Sequence, residues 1–193
     1  MSTNRLDRNV VVLGGVGVGK TSVINRFHRG EYKSHYMPTV SGTSTKRMRV
    51  GDKEYNLMIT DTTGQDETSL LDPTYVGSMD VYVIAFSVTF RKSFEIAQVI
   101  WDKILDMTGT GSSVGIALVG TKNDLVNERQ VSLKEAEDLA KKYGCPYIET
   151  SAKDNRGIEE LFVKAIKIAN KARGGSSDEV EGDSTDKSMC RFM

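Results

Sequence analysis

Gly14 and Gly19 enclose four residues, and Lys20-Thr21 follows at once. The apolar run 9–14 reads as a short buried strand, and Val23, Ile24 and Phe27 fall on one face of a helix starting near Lys20. A Gly-x-x-x-x-Gly-Lys-Thr stretch between a strand and a helix is a phosphate-cradling loop. Backbone N–H groups converge on an anion only where no side chain intervenes, and the helix N-terminus adds its positive dipole. Gly15, Val16, Gly17, Val18, Gly19 and Ser22 are thereby candidate phosphate contacts. Lys20 would meet the β- and γ-phosphates, and the Thr21 hydroxyl would ligate Mg²⁺.

The rest of the chain alternates strands and helices. Strands are expected over 43–50, 55–60, 81–86, 115–120 and 146–148, with Gly51-Asp52-Lys53 as a hairpin turn. Helical spacing appears in Phe94, Ala97, Trp101 and Ile104, after the capping box Ser132-x-x-Glu135, and in Ile158, Leu161, Phe162 and Ala165. Residues 61–77 have no clean period and read as an irregular loop with a short helix. The pattern predicts an α/β fold with a mostly parallel six-stranded sheet, one antiparallel edge strand and helices on both faces.

Charge narrows the function. The 193 residues hold 26 Lys plus Arg and 26 Asp plus Glu, a balance that disfavours nucleic acid as a partner. The composition changes at Gly174, where a polar tail begins that is expected to lack fixed structure. Five acids against Lys187 and Arg191 make the tail net −3, which leaves 24 cations and 21 acids, net +3, in residues 1–173. Two cysteines exclude a disulfide framework, and Cys145, before Pro146, reads as a small core residue. No segment approaches the roughly 18 apolar residues of a membrane span, no signal-peptide core is present, and Ser2 excludes N-myristoylation.

Three further segments bear on a ligand. Asp61-x-x-Gly64 stands at the C-terminal end of a strand, where open α/β sheets bind ligands. There Asp61 can serve Mg²⁺ and the Gly64 N–H a γ-phosphate, with Thr39 as a second Mg²⁺ hydroxyl. Thr121-Lys122-Asn123-Asp124 follows another strand, and the Asp124 carboxylate can accept from both N1–H and the N2 amine of guanine, a donor pair that adenine lacks. The Lys122 stem can cover the purine face, and a backbone N–H in Glu149-Thr150-Ser151-Ala152-Lys153 can reach guanine O6.

Taken in order over about residues 8–173, these segments resemble the Ras superfamily of small GTPases. The resemblance implies a P-loop NTPase fold of the small G-domain type over 1–173, followed by a variable tail over 174–193. It implies a GTP/GDP switch that uses Mg²⁺, in which Gln65 orients the attacking water and Tyr32 packs edge-on over the base. It assigns Thr39 to a first switch, Asp61, Gly64 and Gln65 to a second, and Thr121, Lys122, Asp124, Ser151, Ala152 and Lys153 to guanine. Its partners would be an exchange factor, a GAP and effector proteins.

Only 27 positions separate Asp124 from Ser151, too few for the extra helix of Rho-like proteins. Gly64-Gln65-Asp66-Glu67 and the run 92–107 are most similar to the Rheb-like branch, whose members would act in TOR-type growth signalling. Three departures stand out. Val16 replaces the usual glycine, and its branched side chain is expected to crowd Gln65 and an incoming arginine finger, slowing hydrolysis. Thr39-Val40-Ser41-Gly42 lacks the acid that Ras-type effectors read. Thr121 stands where Asn is usual. The same departures admit an alternative, a constitutively GTP-loaded adaptor that barely hydrolyses. A metabolic P-loop kinase is disfavoured, since the guanine segment would then have no role.

Cys190-Arg191-Phe192-Met193 matches a farnesylation box, so farnesyltransferase is an expected partner. One prenyl chain without a polybasic patch binds membranes marginally, which predicts the cytoplasmic face of endomembranes with a cytosolic pool. Cys190→Ser is expected to move the membrane-bound fraction into the cytosol on fractionation; equal partitioning of the two proteins would refute the anchor.

Overall fold

The computed structural model describes residues 6–174 apart from 36, 76 and 110–113. The expected tail and Cys190 lie outside the described residues. Among the described residues, six strands form one sheet in the order β2-β3-β1-β4-β5-β6. They are β1 (Leu6–Gly14), β2 (Gly42–Val50), β3 (Lys53–Asp61), β4 (Val81–Ser87), β5 (Gly115–Thr121) and β6 (Tyr147–Thr150). Only β2 is antiparallel, joined to β3 by the hairpin turn at Gly51-Asp52. The remaining neighbours pair in parallel, as the alternating pattern predicts.

β4 and β5 are buried along their whole length, so neither could alternate apolar and polar residues. In β1, Val10 and Val12 face one core with Val23, Ile24 and Phe27 of α1 (Lys20–Arg29) and with Leu161 and Phe162 of α4 (Ile158–Ala172). Val11 and Leu13 face the other core, with Phe94 and Trp101 of α2 (Arg91–Thr108) and Ala136 and Ala140 of α3 (Leu133–Tyr143). This is the strand period of two acting on a sheet covered on both faces. Phe27 stacks on Phe162 at 3.9 Å and Trp101 on Tyr143 at 4.1 Å, fixing a helix pair on each face.

Local signals set the helix ends. Ser132 Oγ accepts from the Glu135 N–H while Glu135 accepts from the Ser132 N–H, and Gly144 closes α3 in the left-handed region. The irregular stretch after β3 contains one 3₁₀ turn, Pro73–Tyr75. A second 3₁₀ turn, Val126–Glu128, has no signal in the sequence pattern. Cys145 is half-buried, and burial pushes its thiol up to about 11, in keeping with an inert packing residue.

The short edge strand β6 is braced by an ion pair. Arg129, just after the second 3₁₀ turn, holds both carboxylate oxygens of Glu149 on β6 at 2.8 Å, and Tyr147 donates to the same carboxylate. Burial works to raise Glu149, but Arg129 and Tyr147 outweigh it and hold the carboxyl below its usual value. A depressed carboxyl stabilises the fold above the unfolded value near 4.5 and loses that contribution as pH falls through the folded one. Arg129→Met is expected to cost about 1–3 kcal/mol at pH 7 by urea denaturation, the worth of hydrogen bonds to a charged group, with the gap to wild type closing in acid.

Candidate functional site

The loop 14–20 leaves the C-terminal end of β1 and enters α1. Gly17 and Gly19 sit at φ 70 and 103, a region that side-chain-bearing residues rarely adopt. Gly19 is the N-cap of α1, no side chain caps the helix, and its first turn holds no acid. The first-turn N–H groups and the helix dipole therefore point outward, uncompensated by the protein itself. The Val18 side chain turns into the core, so this residue offers only its backbone to the loop.

Lys20 reaches back across the loop, its Nζ donating to the carbonyls of Gly14 at 2.8 Å and Gly15 at 3.0 Å. Burial lowers its pKa to about 8, against the opposing charge of Asp61. Asp61 ends β3 beside it. Burial raises this carboxyl, with the Thr21 hydroxyl, Lys20 and the Thr62 N–H working the other way. Asp61 Oδ1 is buried without a hydrogen-bond partner among the described residues. Thr21 Oγ1 and Thr39 Oγ1 lie 2.6 Å apart. One ionisable carboxylate and two hydroxyls make a hard oxygen donor set that fits Mg²⁺, which takes one or two carboxylates and completes its shell with phosphate and water.

A cleft of about 370 Å³ opens over this loop, lined by Gly17, Gly19, Lys20, Thr21, Thr39 and Gly64 among others. A second hollow of about 230 Å³ adjoins it, lined by Thr121, Lys122, Asp124, Leu125, Ala152 and Lys153. Gly19, Ser22, Tyr32, Ser34 and Lys122 border both. Most of the predicted residues thus meet along two adjoining hollows with Tyr32 bordering both, whereas Gly15, Val16, Val18 and Ser151 line neither. Gly64 approaches the loop so closely that a Cβ would lie 2.5 Å from Val16 Cα, a contact only glycine permits.

The guanine half is tied to the phosphate half. The single hydroxyl proton of Thr121 has the carbonyls of Phe86, at 2.9 Å, and Val18 in reach, so the residue replacing Asn lies against the loop from the end of β5. Lys122 Nζ donates to Gly17 O at 2.8 Å, and burial lowers its pKa against the pull of Asp124 and Glu128. Ser151 does not line the groove. It is fully buried, and its hydroxyl accepts from the Asp154 N–H, shaping the loop that presents Ala152 and Lys153.

Gln65 is placed differently from a residue facing the phosphates. It is buried beneath the loop, its Oε1 accepting from Gly14 N–H at 2.7 Å and its Nε2 donating to Thr62 Oγ1 at 3.1 Å. Its backbone bridges to the loop as well, through Gln65 N–H to Gly14 O at 3.1 Å. Val16 lies over Gly64 with most of its side chain exposed.

Sequence reasoning missed three residues. Arg26 on α1 donates to Ala152 O at 2.6 Å and Lys153 O at 3.1 Å, clamping the guanine loop. Thr62 donates to Val12 O at 2.7 Å and so fixes the partner of Gln65. Arg129 braces the last strand. Only Thr62, next to Asp61, lay close enough to a motif to be found.

The family model described as the Ras family matches residues 9–171. The GTP-binding protein Rheb of Homo sapiens is 38% identical over 186 residues, covering 96% of this chain and 97% of that one. The GTP-binding protein Rheb homolog of Drosophila melanogaster is 35% identical over 173 residues, covering 90% and 94%. The Ras-like protein rasW of Dictyostelium discoideum is 33% identical over 188 residues, covering 96% and 87%.

Lys20 yields a pH signature for the nucleotide-free protein. Its folded value near 8 lies below the ordinary 10.5, so between these the unfolded chain binds more protons and stability rises with pH. Denaturation of wild type against Lys20→Met is expected to show a difference that grows by roughly 3 kcal/mol across that window. A difference independent of pH would refute the buried, low-affinity ammonium.

Proposed function

The chain belongs to the Ras family of small GTPases and is similar to Rheb, and on that premise we propose that it is a slow guanine-nucleotide switch working at endomembranes. The observation that carries this is the buried, unpartnered Asp61 oxygen close to the Thr21–Thr39 hydroxyl pair. It supports a switch because Thr39 belongs to the segment 32–42, so whatever draws these oxygens together also draws that segment against the loop.

Asp124, Lys122 and the Ala152 backbone would hold guanine, while Lys20 and the loop amides would stabilise charge developing on the phosphates. Thr21, Thr39 and Asp61 would hold Mg²⁺, which would supply positive charge to offset that of the phosphates when bound. Segments 32–42 and 61–77 would then present an ordered surface to effectors. By resemblance the output is TOR-type growth signalling, reached from a membrane through prenylated Cys190.

Gln65 supports a slow rate. To orient water it must give up the Gly14 N–H and the Thr62 hydroxyl. Two such bonds are worth about 1–3 kcal/mol, which slows a step by about 5- to 160-fold. Val16 adds bulk where an arginine finger would enter.

Single-turnover hydrolysis of preloaded GTP tests this. Wild type is expected to turn over slowly but finitely, Gln65→Leu to stop, and Val16→Gly to run faster with or without a GAP. GTP retained through purification with no turnover would instead mark a constitutively loaded adaptor.

A further inference from the structure

β2 is the exposed edge of the sheet, nine residues long, with its outer backbone groups unpaired by any neighbouring strand among those described. Such an edge is a template for another extended segment. Its charge is one-sided. Residues 32–51 contain Lys33, Lys46, Arg47 and Arg49 and no Asp or Glu. Lys46 turns inward to Phe27, whereas Arg47 and Arg49 stand on the exposed face. Arg49 has Asp52 at 3.8 Å and Glu54 opposite it in register. Arg47 faces Asn56 and has no acid partner among the described residues.

The end of α4 lies at the same end of the sheet. Asn170 accepts from Arg8 at 2.8 Å and donates to the Tyr55 hydroxyl at 2.8 Å, and Tyr55 pairs with Met48 of β2. Arg173, the last residue before the tail begins, is pinned to Asp80 at 2.6 Å, just before β4. From β4 to β2 is three strand spacings, about 14 Å. Four residues, the number from 174 to 177, can cover at most about that distance. That reach would be enough to bring Asp178 to β2, and the nine residues 178–186, with Asp178, Glu179, Glu181, Asp183 and Asp186, equal β2 in number.

We propose that the acidic segment 178–186 of this chain lies along the exposed edge of β2, its carboxylates facing Arg47 and Arg49. β2 runs from Arg49 up to Gly42, next to the Thr39 segment, so the contact shields the edge that adjoins the first switch. The contact itself needs no nucleotide. Its consequence, a screened effector surface, rests on the switch function proposed above.

Paramagnetic broadening in the full chain tests it. A nitroxide is placed at Ser184→Cys in a Cys145→Ala, Cys190→Ser background prepared without lipid, with the same background lacking Ser184→Cys as the labelling control. The expected result is at least twofold intensity loss for amides of residues 43–49. It should disappear when Asp178, Glu179 and Glu181 are changed to Asn, Gln and Gln, and in Arg47→Glu. It should also weaken strongly in about 0.5 M salt, where exposed charges are screened within a few ångströms. Broadening centred on the exposed Lys167 and Lys171 of α4, broadening that survives neutralisation, or none at all would overturn the proposal. Broadening that passes from labelled to unlabelled, isotope-enriched copies would assign the contact to a second molecule and overturn it equally. None of these outcomes depends on GTP hydrolysis.

Discussion

One peptide group holds the site together. The Gly14 carbonyl accepts Lys20 Nζ at 2.8 Å and Gln65 N–H at 3.1 Å, while its own N–H donates to Gln65 Oε1 at 2.7 Å. The phosphate loop, its lysine and the second switch therefore meet on the last residue of β1. That residue is immovable because β1 is buried between β3 and β4, with a core on each face. A buried strand end supplies the frame from which the loop, its lysine and Gln65 are hung.

The same place concentrates unfavourable electrostatics. Burial lowers Lys20 and raises Asp61, and an Asp61 oxygen is left without a hydrogen bond. A buried unpaired polar atom costs stability that the rest of the fold must offset. A bound anion and cation would remove that cost, so ligand affinity and folding stability are linked by mass action. The unfavourable burial thus falls where a polyanion belongs.

The guanine half depends on reach rather than on burial. Arg26 spans from α1 to the loop after β6, Thr121 ties β5 to the phosphate loop, and Arg129 grips Glu149. Each joins chain segments that leave different strands, so the walls of the two adjoining hollows share one frame. Thr121 makes its tie with one hydroxyl proton, within reach of both the Val18 and the Phe86 carbonyls.

The amino-acid sequence by itself determined the strand and helix order, the phosphate loop, the Gly51-Asp52 turn and the Ser132–Glu135 capping box. All of these rest on interactions between residues a few positions apart, where spacing and residue type carry the physics. Only the tertiary structure decided that Gln65 lies buried under Gly14, that Ser151 shapes its loop without lining the groove, and that Arg26 and Arg129 clamp the guanine side. Gln65 meets Gly14 across 51 positions and Arg26 meets Ala152 across 126. Contacts at such separations depend on which strand ends the sheet sets side by side, and no local pattern encodes that.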